Sequence, residues 1–347
     1  MNKRLLYIDI LNIFACFAVI SLHHNGIVHS YDVHKIEWAQ ALFFEVVFYW
    51  AVPVFFMITG VTLIGYREKY TTKYFFIKRV SRAFIPFLIW SIILLCIAQL
   101  TNPINLNSWQ DIVNIILTTK VRHGDVYWFF IPLFSVYLAI PVLSLLKDNR
   151  DILWYVVILS FITTSCLPLL FYSLGLKYNS TLQFPMNTAG YLLFVILGYL
   201  ISTTELNKTQ RVTIYLLGIA SAFLRYSLTY KFSLSDGKLN KILFSYTQFH
   251  SVFLALAIFV FIQYSMKYVE EKLHISKKIQ TTIRTISSCS LGIYLIHKLV
   301  MANEINLFKI EWDNFYWRFF GMFLTYAICL LIVYSVKKVP LLNKLFP

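Results

Sequence analysis

From Gln40 to Ile64 the chain reads QALFFEVVFYWAVPVFFMITGVTLI, a run whose one charged residue is Glu45. A helix crosses a bilayer's hydrocarbon core with about 20 mostly apolar residues, so this stretch predicts a membrane span. Similar windows recur on both sides, and with this one they make ten: near 5–24, 40–64, 80–100, 127–146, 152–174, 187–203, 212–230, 250–268, 286–302 and 317–336. The whole chain follows the same pattern. Of its 347 residues 59% are hydrophobic and 14% charged, too few charges to solvate an ordinary globular surface. No polar half separates from the rest. The expected fold is therefore all-α, a polytopic integral membrane bundle of about ten transmembrane helices forming a single domain over residues 1–347.

The net charge of +15 points to nucleic acid in many proteins, but its distribution here does not. Lys and Arg sit in short connectors, where they set topology and meet anionic lipid headgroups. Of the 31, twenty lie in or beside the N-terminal tail, the even-numbered connectors and the C-terminal tail, against eight in the odd-numbered connectors. The positive-inside rule then places both termini in the cytoplasm. The first apolar stretch carries Asp9 and Asn12 and lacks a small-residue cleavage site, so it reads as a retained span and not as a signal peptide. Five cysteines fall in apolar runs, where buried packing is the expected role, and no Cys/His pattern suggests a metal. Trp109–Thr118 alternates polar and apolar residues with a helical period and is expected to lie along the interface.

Polar groups inside spans are costly and mark sites or partners. On the first helix Asp9, Asn12, Cys16 and His23 share a face, because 11 steps of about 100° bring His23 nearly over Asn12. The adjacent His24 points about 100° away. Histidine suits general-base work near neutral pH, and only one of the pair need be chemical; interfacial, water-accessible histidines are the plainer alternative. In the ninth span Ser290, Tyr294 and His297 form a second polar stripe, with His297 near the outer end. The run Lys78-Arg79-Val80-Ser81-Arg82 opens the third span. In α-helical register Arg79 and Arg82 share a face and suit a phosphorylated ligand, while topology anchoring explains the run equally well. Glu45, Arg225 and Arg318 are further intramembrane charges, the two arginines expected to snorkel or to pair and Glu45, toward the outer side of its span, a candidate neighbour of His23.

At these residues the chain resembles the acyltransferase 3 family of membrane O-acyltransferases, particularly short, stand-alone members that modify bacterial cell-surface polysaccharides. Tyr7-Ile8-Asp9 with His23 is similar to the family's opening pattern, and Val52 to Gly60 to its second-span signature. Arg79-Val80-Ser81-Arg82 followed by Ile85-Pro86-Phe87, Tyr127-Trp128-Phe129-Phe130 with Pro141, Leu197-Gly198-Tyr199-Leu200, and Ser290 through His297 match later blocks in family order. Two positions depart from the pattern. Asn12 stands where the family carries Arg or Lys, and Val126 where a His often precedes the Trp by two residues, with His123 nearby but out of register.

The resemblance implies acyl transfer, with acetyl-CoA or another acyl-CoA as cytoplasmic donor, to a hydroxyl of an envelope glycan or lipid-linked saccharide, in the plasma membrane and without a metal. It implies that Arg79 and Arg82, with Lys78 beside them, bind the CoA phosphates, and that His23 removes the hydroxyl proton or carries the acyl group transiently. Asp9, Asn12 and Tyr294 become candidates for orienting the donor or the oxyanion, with His24 and His297 as the other candidate bases. Ten spans with polar stripes also suit a saccharide flippase or transporter, or a membrane scaffold. The pairing of an inner Arg cluster with an outer His favours the enzyme.

Overall fold

The computed structural model describes residues 5–183, 190–273, 275–340 and 342–346. Among these, nine helices are long and apolar enough to cross a membrane: α1 (Leu6–His24), α2 (Ile36–Glu68), α3 (Thr72–Thr101), α4 (Asp125–Leu143), α5 (Arg150–Ser173), α7 (Lys208–Asp236), α8 (Phe249–Lys272), α9 (Lys277–Phe308) and α10 (Trp317–Lys337). A shorter apolar helix, α6 (Leu192–Ser202), stands in the expected sixth window. The start of that window, 187–189, lies outside the described residues. The bundle is all-α, the architecture in which a span pairs its backbone polar groups within itself.

Large apolar side chains such as Phe223, Leu138 and Phe14 point outward, which in this composition is a lipid-facing surface. With apolar groups on both sides of every helix surface, hydrophobic burial does little to choose partners, and close backbone approach takes over. The α2–α6 crossing is the extreme case. A Cβ on Gly60 would sit 1.8 Å from the Val195 carbonyl oxygen, and one on Gly198 2.4 Å from that of Met57. The second-span and sixth-span blocks are thus two halves of one contact. At the other main interfaces α1 packs on α9, α7 on α8, and α9 on α10.

The connectors that the charge count groups together also meet in space. At one end of the bundle Arg67 donates to Ser144 at 2.7 Å, Glu68 pairs with Lys147, and Arg150 donates to Thr204 at 2.6 Å. At the other end Tyr31 donates to Asp313 at 2.8 Å, Lys298 lies 3.8 Å from Asp125, and Arg318 donates to Gln40 at 2.7 Å. The second, fourth and sixth connectors thus share one end, and the first, third and ninth the other.

Among the described residues three helices contain a π turn: Val80–Phe84, Phe161–Cys166 and Trp317–Gly321. The first two run up to Pro86 and Pro168, whose missing N–H leaves the carbonyls of Arg82 and Thr164 without their α-helical partner. The short helix Trp109–Leu117 has the expected amphipathic form and begins with a capping box between Ser108 and Asp111. Of the cysteines, Cys16, Cys289 and Cys329 are buried as expected, but Cys96 is exposed on the outer face of α3.

Candidate active site

The two polar stripes read separately from α1 and α9 face each other. The Asn12 amide donates to the Ser287 carbonyl at 3.0 Å and lies 3.1 Å from its hydroxyl; the Cys16 thiol reaches the Ser290 carbonyl at 3.5 Å. Farther along, the His23 and His297 rings are 5.2 Å apart. Rising numbers on one helix meet rising numbers on the other, so α1 and α9 run parallel. Asn12, where the family pattern has a cation, serves here as a bond between helices. Asp9 is buried near the same end of the seam, roughly 20 Å from His23 at 1.5 Å per residue.

The neighbouring histidines have different surroundings. His24 is fully buried, with Nδ1 3.1 Å from the Trp317 carbonyl and Nε2 2.9 Å from the Thr325 hydroxyl, which in turn donates to Glu304. Its ring packs 4.1 Å from that of Trp317. His23, half-buried, is on the wall of two cavities. His297, fully buried behind it, places Nδ1 2.7 Å from the Tyr294 carbonyl and has no partner for Nε2 among the described residues. A carbonyl at Nδ1 assigns the hydrogen to that nitrogen and leaves Nε2 with its lone pair.

The outer of the two cavities is an open vestibule of about 580 Å³ lined by His29, Tyr31, Asp125, Lys298, Trp312 and Asp313 as well as His23. Its hydrogen bond to Asp313 raises the Tyr31 phenol above its ordinary range, with burial adding to the effect. Near the rim, burial lowers the imidazolium pKa of His123, and the cations Arg122 and Lys298 lower it further against the opposing pull of Asp125. The inner cavity, about 260 Å³, is walled by Tyr49, Trp128, Phe244 and Tyr246, with Glu45 and Tyr294 among its polar groups. The Tyr294 hydroxyl donates to the Val126 carbonyl. Of the six candidate catalytic residues, His23 and Tyr294 line these cavities, while Asp9, Asn12, His24 and His297 do not.

Glu45, expected to neighbour His23, shares the inner cavity with it, whereas the aromatic wall carried no signal in the sequence. Glu45 was visible as a charge in a span, but its partner, Arg225, lies 180 residues away in sequence. Of the two arginines that were expected to snorkel or pair, Arg225 pairs with Glu45, whereas Arg318 is held by uncharged oxygens. Arg225 is 1% exposed, with its carboxylate partner at 3.7 Å and its guanidinium 3.6 Å over the Tyr49 ring. Arg318, equally buried, donates to the Glu37 and Asp313 carbonyls and so ties α10 to the start of α2.

The basic run takes a different form from the one its spacing implied. Because Val80–Phe84 is a π turn, residues three apart rotate out of α-helical alignment. Arg79 is half-buried, 5.7 Å from the rings of both Phe75 and Tyr137, while Arg82 is exposed. Lys78 lies over the rings of Tyr70 and Tyr74 at 4.2 and 4.5 Å.

Searches of curated proteins and of solved structures returned no match. The family model described as an acyltransferase domain matches residues 5–334, nearly the full length, in a chain whose helices are built to cross a membrane. This protein therefore belongs to the acyltransferase 3 family and is a multi-pass membrane acyltransferase.

Proposed function

We propose that the protein transfers an acyl group, acetyl in the simplest case, from cytoplasmic acyl-CoA to a hydroxyl of an envelope or lipid-linked saccharide, with His23 as the base. The observation that carries this reading is the position of His23 at the junction of the two cavities, on the polar α1–α9 seam and backed by His297. The acceptor hydroxyl gives its proton to the imidazole as its oxygen attacks the thioester carbonyl. The tetrahedral intermediate then collapses, the C–S bond breaks, and the imidazolium returns the proton to the departing thiolate. The products are an ester and free CoA.

The Arg79, Arg82 and Lys78 cluster supports donor binding at the opposite end of the bundle, since guanidinium groups bind phosphate with charge-assisted hydrogen bonds. The thioester then travels along the seam, roughly 16 Å from the level of Asn12 to that of His23. Replacing Arg79 and Arg82 together by Ala is expected to raise the KM for acyl-CoA by at least tenfold, as each such contact is worth roughly 1.5–3 kcal/mol. An unchanged KM in a folded double variant would reduce the pair to topology anchors.

In this reading the Arg end faces the cytoplasm of a plasma membrane, and both termini lie there with it. Single cysteines at 32 and 236 should then react with an impermeant maleimide added to whole cells, and cysteines at 70 and 275 should not. Labelling at 275 from outside would invert the map. The family match favours acyl transfer over saccharide transport or scaffolding. Mass spectrometry of the envelope glycan, with and without the protein, tests the assignment: the acyl ester should disappear with the protein, and its persistence would refute the assignment.

A further inference from the structure

Glu45 is an expensive residue where it stands. A carboxyl group in a span needs either a tight partner or a use. Its ion pair with Arg225 is not tight: the closest approach, 3.7 Å, exceeds ordinary hydrogen-bond distance. Arg225 itself is held elsewhere, its Nε donating to the Leu243 carbonyl at 3.0 Å and its Nη1 to the Glu45 main-chain carbonyl at 3.2 Å. A buried pair repays desolvation only with excellent geometry, so this pair is a poor device for stability alone. The fixed guanidinium is a counter-charge that does not saturate the carboxyl oxygens of Glu45, a residue that lines the inner cavity.

The remaining walls identify what fits there. Tyr49 and Tyr246 stack at 4.1 Å, turning those two faces to each other, and Trp128 lies nearly parallel to Tyr246 at 5.6 Å; all three rings line the chamber. Aromatic faces carry negative charge density and attract the weakly positive C–H face of a sugar ring, while a carboxyl group accepts hydrogen bonds from its hydroxyls. At about 260 Å³ the chamber falls below the usual range for drug-sized ligands, roughly 300–1,000 Å³, and suits one ring. The vestibule offers Trp312, half-exposed, and the carboxylates of Asp125 and Asp313 to whatever is attached to that ring.

We infer that Glu45 is the acceptor-binding residue: it grips a hydroxyl of one uncharged saccharide unit lying against the Tyr246–Trp128 wall, so that a neighbouring hydroxyl meets His23, while the next unit of the chain occupies the vestibule. The inference rests on the reading of His23 as the base. It names a saccharide chain that enters from the His23 end, with one unit sequestered, as the acceptor class.

The test uses the full chain in lipid nanodiscs with acetyl-CoA as donor and, as acceptor, envelope polysaccharide stripped of its esters by mild alkali from cells that make the protein. Glu45→Gln should raise the KM for polysaccharide roughly 10- to 100-fold and leave the KM for acetyl-CoA within twofold. Trp128→Leu, which leaves the Arg225 pair intact, should give the same split and keeps the inference testable if the first variant fails to fold. An unchanged acceptor KM in a folded Glu45→Gln variant, or donor and acceptor KM rising together in both variants, would overturn it. The two levels separate cleanly: activity in His23→Ala refutes the base assignment, whereas an inactive His23→Ala alongside an unaffected Glu45→Gln refutes only the role of Glu45.

Discussion

His23→Ala is expected to lose acyl transfer by roughly 10²–10⁴-fold, the contribution of a positioned general base, while membrane abundance stays at the wild-type level. The side chain lines two cavities, so its removal enlarges a space already open and leaves no buried group unpaired. His24→Ala should behave in the opposite way. It removes the hydrogen bonds to the Trp317 carbonyl and the Thr325 hydroxyl from a fully buried site, at roughly 0.5–1.5 kcal/mol for each bond lost, the hydroxyl keeping its bond to Glu304. Folded yield and melting temperature should fall, but the activity of each folded molecule should survive. Loss of activity in a folded His24→Ala protein, with His23→Ala active, would move the chemistry to the other side of α1. If both variants stay active, His297 becomes the base to test.

Gly60→Val is expected to prevent assembly of the bundle. The Cβ of any other residue would lie 1.8 Å from the Val195 carbonyl oxygen, which belongs to helix backbone and has no rotamer to yield. Separating α2 and α6 enough to admit it would also release the Gly198–Met57 contact and shift Tyr191 from Phe56, whose rings stack at 4.4 Å. Overpacking a core costs roughly 1–3 kcal/mol where side chains can adjust, and more is expected here because they cannot. Monodisperse protein in mild detergent should be nearly absent for Gly60→Val, whereas Gly65→Ala, with its nearest neighbour 4.0 Å from the added carbon, should purify and melt as wild type does. Normal recovery of Gly60→Val would mean that α2 and α6 do not cross in backbone contact.

Periodicity made much of this legible. A 100° step placed Asn12, Cys16 and His23 on one face of α1 and Ser290, Tyr294 and His297 on one face of α9, and both faces turn inward. That they turn toward each other was not legible, because helical period says where a side chain points and not what it meets. Glu45 and Arg225 show the same limit: each was conspicuous as a charge in an apolar run, yet nothing along the chain joins them. Tyr49, Trp128 and Tyr246 were hidden by hydropathy, which cannot tell an aromatic residue facing a cavity from one facing lipid in a chain that is 18% aromatic. The Arg79–Arg82 spacing was read in α-helical register, and the π turn ahead of Pro86 changes that register for a local reason, the N–H that proline lacks.

The most direct test of the central claim is transfer of labelled acetyl from acetyl-CoA to ester-stripped envelope polysaccharide by the purified protein, wild type beside His23→Ala. Label should enter the polysaccharide as an alkali-labile ester with stoichiometric release of CoA, and His23→Ala, equally folded, should release neither product above background. Transfer by His23→Ala at the wild-type rate would contradict the account.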